Sequence, residues 1–146
     1  MKPENPRFHT CSLRVPLYEI DLGQGVYHGN YYHLFEIARE AFFREIGFPY
    51  KSLMEMQLHL TVAEALCKYK ESLHYDEQID IHTSVSWVRD RSLGVVQRVY
   101  KKDKAGNPLL CTDLSLNLVC VRFGGGAFPL PTEFAGCLER YTQPFS

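Results

Sequence analysis

The sequence predicts an α+β fold in which one antiparallel sheet has its apolar face covered by one principal helix. Three observations predict it. Segment 30–46 carries apolar residues at helical spacing over a length that ordinary strands do not reach. Four later segments read as half-buried strands, most of them alternating apolar and polar residues. The connections between those strands are largely short turns. Short turns join antiparallel neighbours, because a parallel crossover needs about a dozen residues or more.

Taken in order, the first ten residues, MKPENPRFHT, are polar and contain Pro3 and Pro6, which predicts a loose start. Residues 11–18, CSLRVPLY, read as a short strand, with Pro16 marking a sheet edge or bulge. A glycine-rich turn, DLGQGVYHGN (21–30), then opens the best helix signal. Tyr31, Leu34, Phe35, Ala38, Phe42 and Ile46 form one apolar stripe. Asn30 is the expected N-cap, Glu40 and Arg44 the expected i, i+4 pair, and Gly47 with Pro49 the stop. About 17 residues make a helix ~25 Å long. A short second helix is expected over 50–56.

Residues 58–70 alternate at Leu60 and Val62 and lose the pattern near Glu64. Residues 79–88 place Ile79, Ile81, Thr83, Val85 and Trp87 on one face. RDRS (89–92) is a tight connection into a strand over 93–101, and DKAGNP (103–108) is another turn. Residues 109–123 place Leu110, Leu114, Leu116 and Leu118 on one face, with Asp113, Ser115 and Asn117 opposite. GGGAFPLP (124–131) ends the sheet, and residues 132–141 add a terminal helix. No repeat, linker or low-complexity tract divides the chain, so 1–146 reads as one domain.

A chain of 146 residues can bury roughly two thirds of its unfolded surface. Sixteen Lys plus Arg against seventeen Asp plus Glu leave a net charge of -1, which argues against a protein built for non-specific nucleic-acid binding. No apolar run approaches the ~20 residues of a membrane span, and the N-terminus lacks the apolar stretch of a secretory signal. The expected location is the cytoplasm. Five cysteines cannot all pair within the chain, and none lies in a CxxC, so buried free thiols are expected. His28 and His33 lie five apart, which is not the i, i+4 pair a helix offers zinc, and no metal is expected.

The segment from Asp21 to Asn30 carries the chemistry. A carboxylate precedes a glycine-rich turn, and the turn opens a helix N-terminus. Free N–H groups there, aided by the helix dipole, can polarise a carbonyl and hold an oxyanion. A nearby carboxylate can attack that carbonyl or activate a water. These are the parts of hydrolytic acyl transfer. The same spacing also suits a turn in which Asp21 and the glycines only shape the bend.

The stretch YEIDLGQGVYHGNYYHLFEIAR (18–39) resembles the opening motif of hotdog-fold acyl-CoA thioesterases of the 4-hydroxybenzoyl-CoA thioesterase type. That motif is an Asp, a Gly-containing turn, Val, an aromatic, a His or aromatic, a spacer, then Asn-Tyr. The resemblance extends over roughly 12–123, through the strand order and the loop WVRDRS (87–92). It implies an antiparallel sheet wrapped around a long central helix. It also implies a dimer or tetramer with its sites at the dimer interface, and an acyl-CoA substrate with no separate cofactor. By position, Asp21 matches the catalytic carboxylate, and His28 the residue whose N–H polarises the thioester carbonyl. Asn30 and Tyr31 match the helix start, and Arg89 and Arg91 the loop that meets coenzyme A phosphates. Gln24, Gly25, Tyr27, Asn30, Tyr31 and Glu64 complete the expected substrate-binding set. Gln24 stands where the family commonly has Gly, and Leu22 where it has a small residue or Pro; both departures bear on substrate choice.

Several side chains keep two readings. The His28 ring contacts substrate, caps the helix or bonds a loop. Glu36, about 12 Å along the helix from Asn30, reads as a surface charge beside Arg39. Glu64 lines the pocket from a partner subunit or lies at a sheet edge. Arg89 and Arg91 grip phosphates or sit in a solvated turn. Trp87 supports an adenine ring or packs in the sheet, and packing is favoured because it continues an apolar face. Two other functions are open: a hotdog dehydratase or hydratase using His28 with Asp21, and an acyl-CoA-binding protein without turnover. Product analysis separates them, since free thiol marks hydrolysis, a changed double bond marks hydration chemistry, and intact thioester marks binding.

Overall fold

The computed structural model describes residues 7–23 and 25–142. Its elements are β1 (His9–Arg14), α1 (Tyr31–Glu45), α2 (Tyr50–Glu55), β2 (Leu58–Tyr69), β3 (Gln78–Val88), β4 (Ser92–Lys102), β5 (Pro108–Arg122) and α3 (Thr132–Glu139). Single 3-10 turns cover Leu17–Glu19 and His28–Asn30. The strands form one sheet in the order β1-β3-β4-β5-β2, and every neighbouring pair is antiparallel.

α1 forms where the stripe required it. Tyr31, Leu34, Phe35, Ala38, Phe42 and Phe43 are buried along its length and pack with the inner face of the sheet. The helix lies against β1 and β3, and α3 packs on β3. Gly47, at φ +90°, lets the chain leave the helix, and Pro49 precedes α2. No helix among the described residues is long and apolar enough to cross a membrane. All five cysteines are free; Cys111 and Cys120 are buried, and Cys11, Cys67 and Cys137 are half-buried.

Four expectations need correction. β1 begins at His9, because His9 and Thr10 pair with Thr83 and His82; the strand also ends at Arg14, two residues before Pro16. Asn30 does not cap α1 with its side chain; that amide donates to the Glu19 carbonyl instead. Glu40 forms no ion pair with Arg44 among the described residues; with Glu36 it acts on Arg39. The outward alternation of two strands is reset by bulges. In β3, register slips between Val85 and Trp87, so Trp87 pairs with Gly94 rather than joining the inner face of Val85 and Val95. A side chain on Gly94 would strike Ser86 and Trp87, so the indole lies over a residue that must lack a Cβ. In β5, the slip at Cys111 pairs Leu110 with Tyr100 and takes Leu110 off the face of Leu114, Leu116 and Leu118.

A third bulge falls in β2 between Val62 and Glu64, where the sequence alternation fails. β2 is an edge strand with one paired side. Its middle is open, with Val62 48% and Leu66 57% exposed.

Candidate active site

The glycine-rich turn folds back as a miniature hairpin. Tyr27 N–H donates to the Glu19 carbonyl at 3.4 Å, Ile20 bridges Val26, and Asp21 N–H donates to the Gly25 carbonyl at 3.1 Å. The returning arm docks on the segment after β2. Val26 N–H donates to the Leu73 carbonyl at 2.9 Å, and Gly25 bridges His74. Tyr31, buried at the start of α1, accepts the Leu73 N–H on its hydroxyl at 3.3 Å. The docking segment is braced from β4, since Lys101 Nζ donates to the Ser72 carbonyl at 2.8 Å and to the Glu77 carboxylate at 3.1 Å. Burial pushes the Glu77 carboxyl up, but hydrogen bonds from Lys101 and from the His74 N–H bring it below the usual carboxylate range.

Asp21 is exposed at the tip of this hairpin. Its Oδ1 accepts the Gly23 N–H at 2.7 Å, an Asx turn that fixes the carboxyl group; no partner holds Oδ2 among the described residues. Asp21, Gly23, Gly25, Tyr27, His28, Tyr31 and Tyr69 line one open groove of about 380 Å³, together with residues 70–72. The Asn30 N–H is taken by the Tyr27 carbonyl at 2.9 Å, whereas the N–H groups of His28 and Gly29 have no acceptor among the described residues. The groove therefore brings together a fixed carboxylate, whose Oδ2 has no partner among the described residues, and His28, whose N–H has no acceptor among them, the parts acyl hydrolysis requires.

The expected site residues divide. Asp21, His28, Gly25, Tyr27 and Tyr31 share the groove. Gln24 lies outside the described residues. Asn30 is absent from the groove lining and works as a latch onto Glu19. Glu64 is exposed on the edge strand, 3.5 Å from Asn117 Nδ2, and does not line the groove of its own chain. Arg89 and Arg91 are exposed at the β3–β4 turn. The Arg89 guanidinium lies 4.5 Å from the Trp87 ring centroid, and Arg91 Nε donates to Asp90 at 3.4 Å. That turn is at the far end of β4 from Lys101, which braces the groove wall; ten residues of strand separate them by ~33 Å. Within one chain the arginines and Asp21 do not meet.

Two contributors escaped sequence reasoning. Tyr69 closes the groove with its ring edge-on to His28 and to Tyr31, at 4.8 and 5.0 Å. Its hydroxyl donates to the His28 carbonyl at 3.2 Å, and burial together with Cys67 keeps its ionisation above the usual phenol value. The last residue of a strand gives no sign that it faces a site. Glu19 is fully buried, and both of its carboxylate oxygens lie 3.2 Å from His33 Nδ1. A glutamate in a polar turn ordinarily reads as solvated.

A second cavity of about 250 Å³ is lined by Glu36, Arg39, Glu40, Phe43, Tyr50, His59, Leu60, Val62 and Leu118. Glu36 is therefore on a cavity wall rather than on a plain surface. Burial lowers the Arg39 ionisation against the opposing pull of Glu36 and Glu40, and the guanidinium donates to buried Gln97 at 2.9 Å.

Comparison with known proteins shows the family and the fold. The profile of the thioesterase-like superfamily matches residues 15–138. The acyl-CoA thioesterase YbgC of Haemophilus influenzae is 29% identical over 113 residues, which cover 77% of this chain and 79% of that protein. A solved hypothetical protein from Aquifex aeolicus superimposes with a TM-score of 0.81 at 28% identity, over 89% of this chain and 98% of its own. A 4-hydroxybenzoyl-CoA thioesterase, solved with 4-hydroxybenzoyl-CoA, superimposes with a TM-score of 0.82 over 90% of this chain and 99% of its own; at 17% identity that likeness establishes the hotdog fold alone. With a match that runs from the end of the first strand into the last helix, the chain belongs to the thioesterase-like superfamily.

Proposed function

We propose that this protein is an acyl-CoA thioesterase, hydrolysing an acyl-CoA to the free acid and coenzyme A, with Asp21 as the reacting carboxylate. The observation that carries the reading is the arrangement at the groove: Oδ1 of Asp21 is tied down, Oδ2 has no partner among the described residues, and His28, whose N–H has no acceptor among them, lines the same space. The thioester carbonyl oxygen would accept the N–H groups of His28 and Gly29. Oδ2 would then attack the carbonyl carbon, expelling the thiolate and leaving a mixed anhydride for water, or would take a proton from an attacking water. The similarity to YbgC supports the same substrate class. No separate cofactor is required, coenzyme A being part of the substrate, and the proposed location is the cytoplasm. The dehydratase reading has less support, because no hydrogen bond joins the His28 ring to Asp21 among the described residues; that ring packs against Tyr69. Thiol release from a panel of aliphatic and aromatic acyl-CoAs tests the proposal. Intact thioester throughout the panel would leave only a binding function.

The open edge of β2 favours a dimer made by antiparallel self-pairing of that strand, because an unpaired, partly apolar edge is otherwise a liability. Two-fold pairing sets the start of one β2 beside the end of the other. The arginine turn lies near the start of β2, since Arg91 accepts the Cys120 N–H and Cys120 pairs with Leu60. Tyr69 and the groove lie at its end. Arg89 and Arg91 of one copy would then reach the coenzyme A held in the groove of the other. Sedimentation at micromolar concentration is expected to show a dimer or tetramer, and a monomer would remove the interfacial site.

If the arginines bind phosphate, replacing both by Ala raises KM for acyl-CoA and leaves kcat largely intact. The loss fades on a truncated thioester that lacks the nucleotide. Equal losses on both substrates would assign the arginines to folding or assembly.

A further inference from the structure

We propose that Glu19 and His33 are a positioning pair that fixes Asp21 relative to the His28 and Gly29 N–H groups just before α1; the proposal rests on the reading of Asp21 as the reacting carboxylate.

Glu19 has no exposed surface, and His33 Nδ1 approaches both of its oxygens at 3.2 Å. A carboxylate can only accept, so Nδ1 carries the proton. Burial of a carboxylate is costly unless it is paired, and His33, itself 60% exposed, is the only side chain that meets it among the described residues. This expenditure falls at the base of the hairpin that carries Asp21. From one residue, Glu19, the backbone carbonyl takes the Tyr27 N–H and the Asn30 amide, while the carboxylate takes His33.

The consequence is geometric. One arm of the hairpin ends in Asp21, and the other runs through His28 into the helix. His33 lies in the first turn of that helix, so the Glu19–His33 hydrogen bond closes a ring through both arms. Without it, only the backbone contacts and the Asn30 amide tie the arms, the hairpin can hinge about its docking on Leu73, and the distance between Oδ2 and the oxyanion donors is held less tightly. A reacting group misplaced by about 1 Å can lose a hundredfold in rate without loss of binding.

The test measures kcat and KM on whichever of acetyl-, hexanoyl- and benzoyl-CoA the wild-type protein hydrolyses fastest. Glu19→Gln, His33→Ala and His33→Asn are made in the wild-type and Asp21→Asn backgrounds. His33→Ala is expected to lower kcat roughly ten- to a hundredfold with KM held within about threefold. His33→Asn should restore most of it, because the Asn Nδ2 stands where His Nδ1 does. Glu19→Gln should lower kcat about tenfold, and the losses should nearly vanish in the Asp21→Asn background, as for groups acting through one another. If Glu19→Gln and His33→Ala stay within about threefold of wild type while Asp21→Asn is inactive, the positioning role is overturned and the Asp21 reading stands. If Asp21→Asn itself turns over normally, that reading fails first. Should His33→Ala not fold, Glu19→Gln and His33→Asn decide by the same split of kcat from KM.

Discussion

Asp21→Asn is expected to cost about a hundredfold or more in kcat, with fold and assembly unchanged. The structure makes this substitution unusually clean. Asp21 is exposed and packs against nothing in the core, and the Asx turn uses only Oδ1, which Asn keeps. What Asn removes is the charge and basicity of Oδ2, the oxygen that has no partner among the described residues. An unreactive acyl-CoA analogue should still bind, and more tightly where the lost charge had opposed the thioester oxygen. Steady-state turnover of the purified variant, with circular dichroism to verify folding, is the measurement. Turnover within a few-fold of wild type would reduce Asp21 to a turn residue. Glu36 would then be the next carboxylate to replace, because it already lines a cavity with Arg39, ahead of Glu64 on the exposed edge.

The groove explains why Asp21 and the helix start act together. Eight residues of chain separate Asp21 from Gly29, a span long enough to part them by tens of ångströms when extended. The hairpin contacts at Glu19–Tyr27 and Asp21–Gly25 fold that span back on itself, and the Leu73 segment holds it down. A glycine-rich turn supplies the reversal.

Those parts of the molecule governed by local period were legible in the sequence. The stripe from Tyr31 to Ile46 named the helix and its buried face, and the breaks at Gly47 and Glu64 marked a real stop and a real bulge. Parts governed by pairing between strands were not. Nothing in the order of residues 85–88 says that Ser86 is the extra residue, and one extra residue turns Trp87 to the other face. The same applies to Leu110 at the Cys111 bulge. In the site, the hairpin residues were legible because their chemistry is contiguous. Tyr69 and the Glu19–His33 pair were not, because they enter through contacts 14 to 41 residues apart. The arginine turn was legible as a tight connection but not as remote from Asp21, since that distance is set by the direction of β4.

Phe42→Ala is expected to lower stability by about 3–5 kcal/mol while leaving activity per folded molecule unchanged. Phe42 is fully buried where three elements meet: its ring lies 5.7 Å from Phe43, 5.2 Å and edge-on to Tyr141, and 6.3 Å from His9 on β1. Truncation leaves a cavity bounded by rigid rings and a sheet, which can collapse only in part, so the cavity adds to the lost transfer energy. Catalysis should be spared, because Phe42 lies eleven residues along α1 from Tyr31, ~17 Å from the end of the helix that borders the groove. Denaturant unfolding gives the stability change, and kcat measured well below the new midpoint gives the rest. A loss of kcat in step with the loss of stability would mean that helix packing and the groove are one cooperative unit. The separation of a rigid core from a locally braced hairpin, on which the roles of Asp21, Glu19 and His33 depend, would then be wrong.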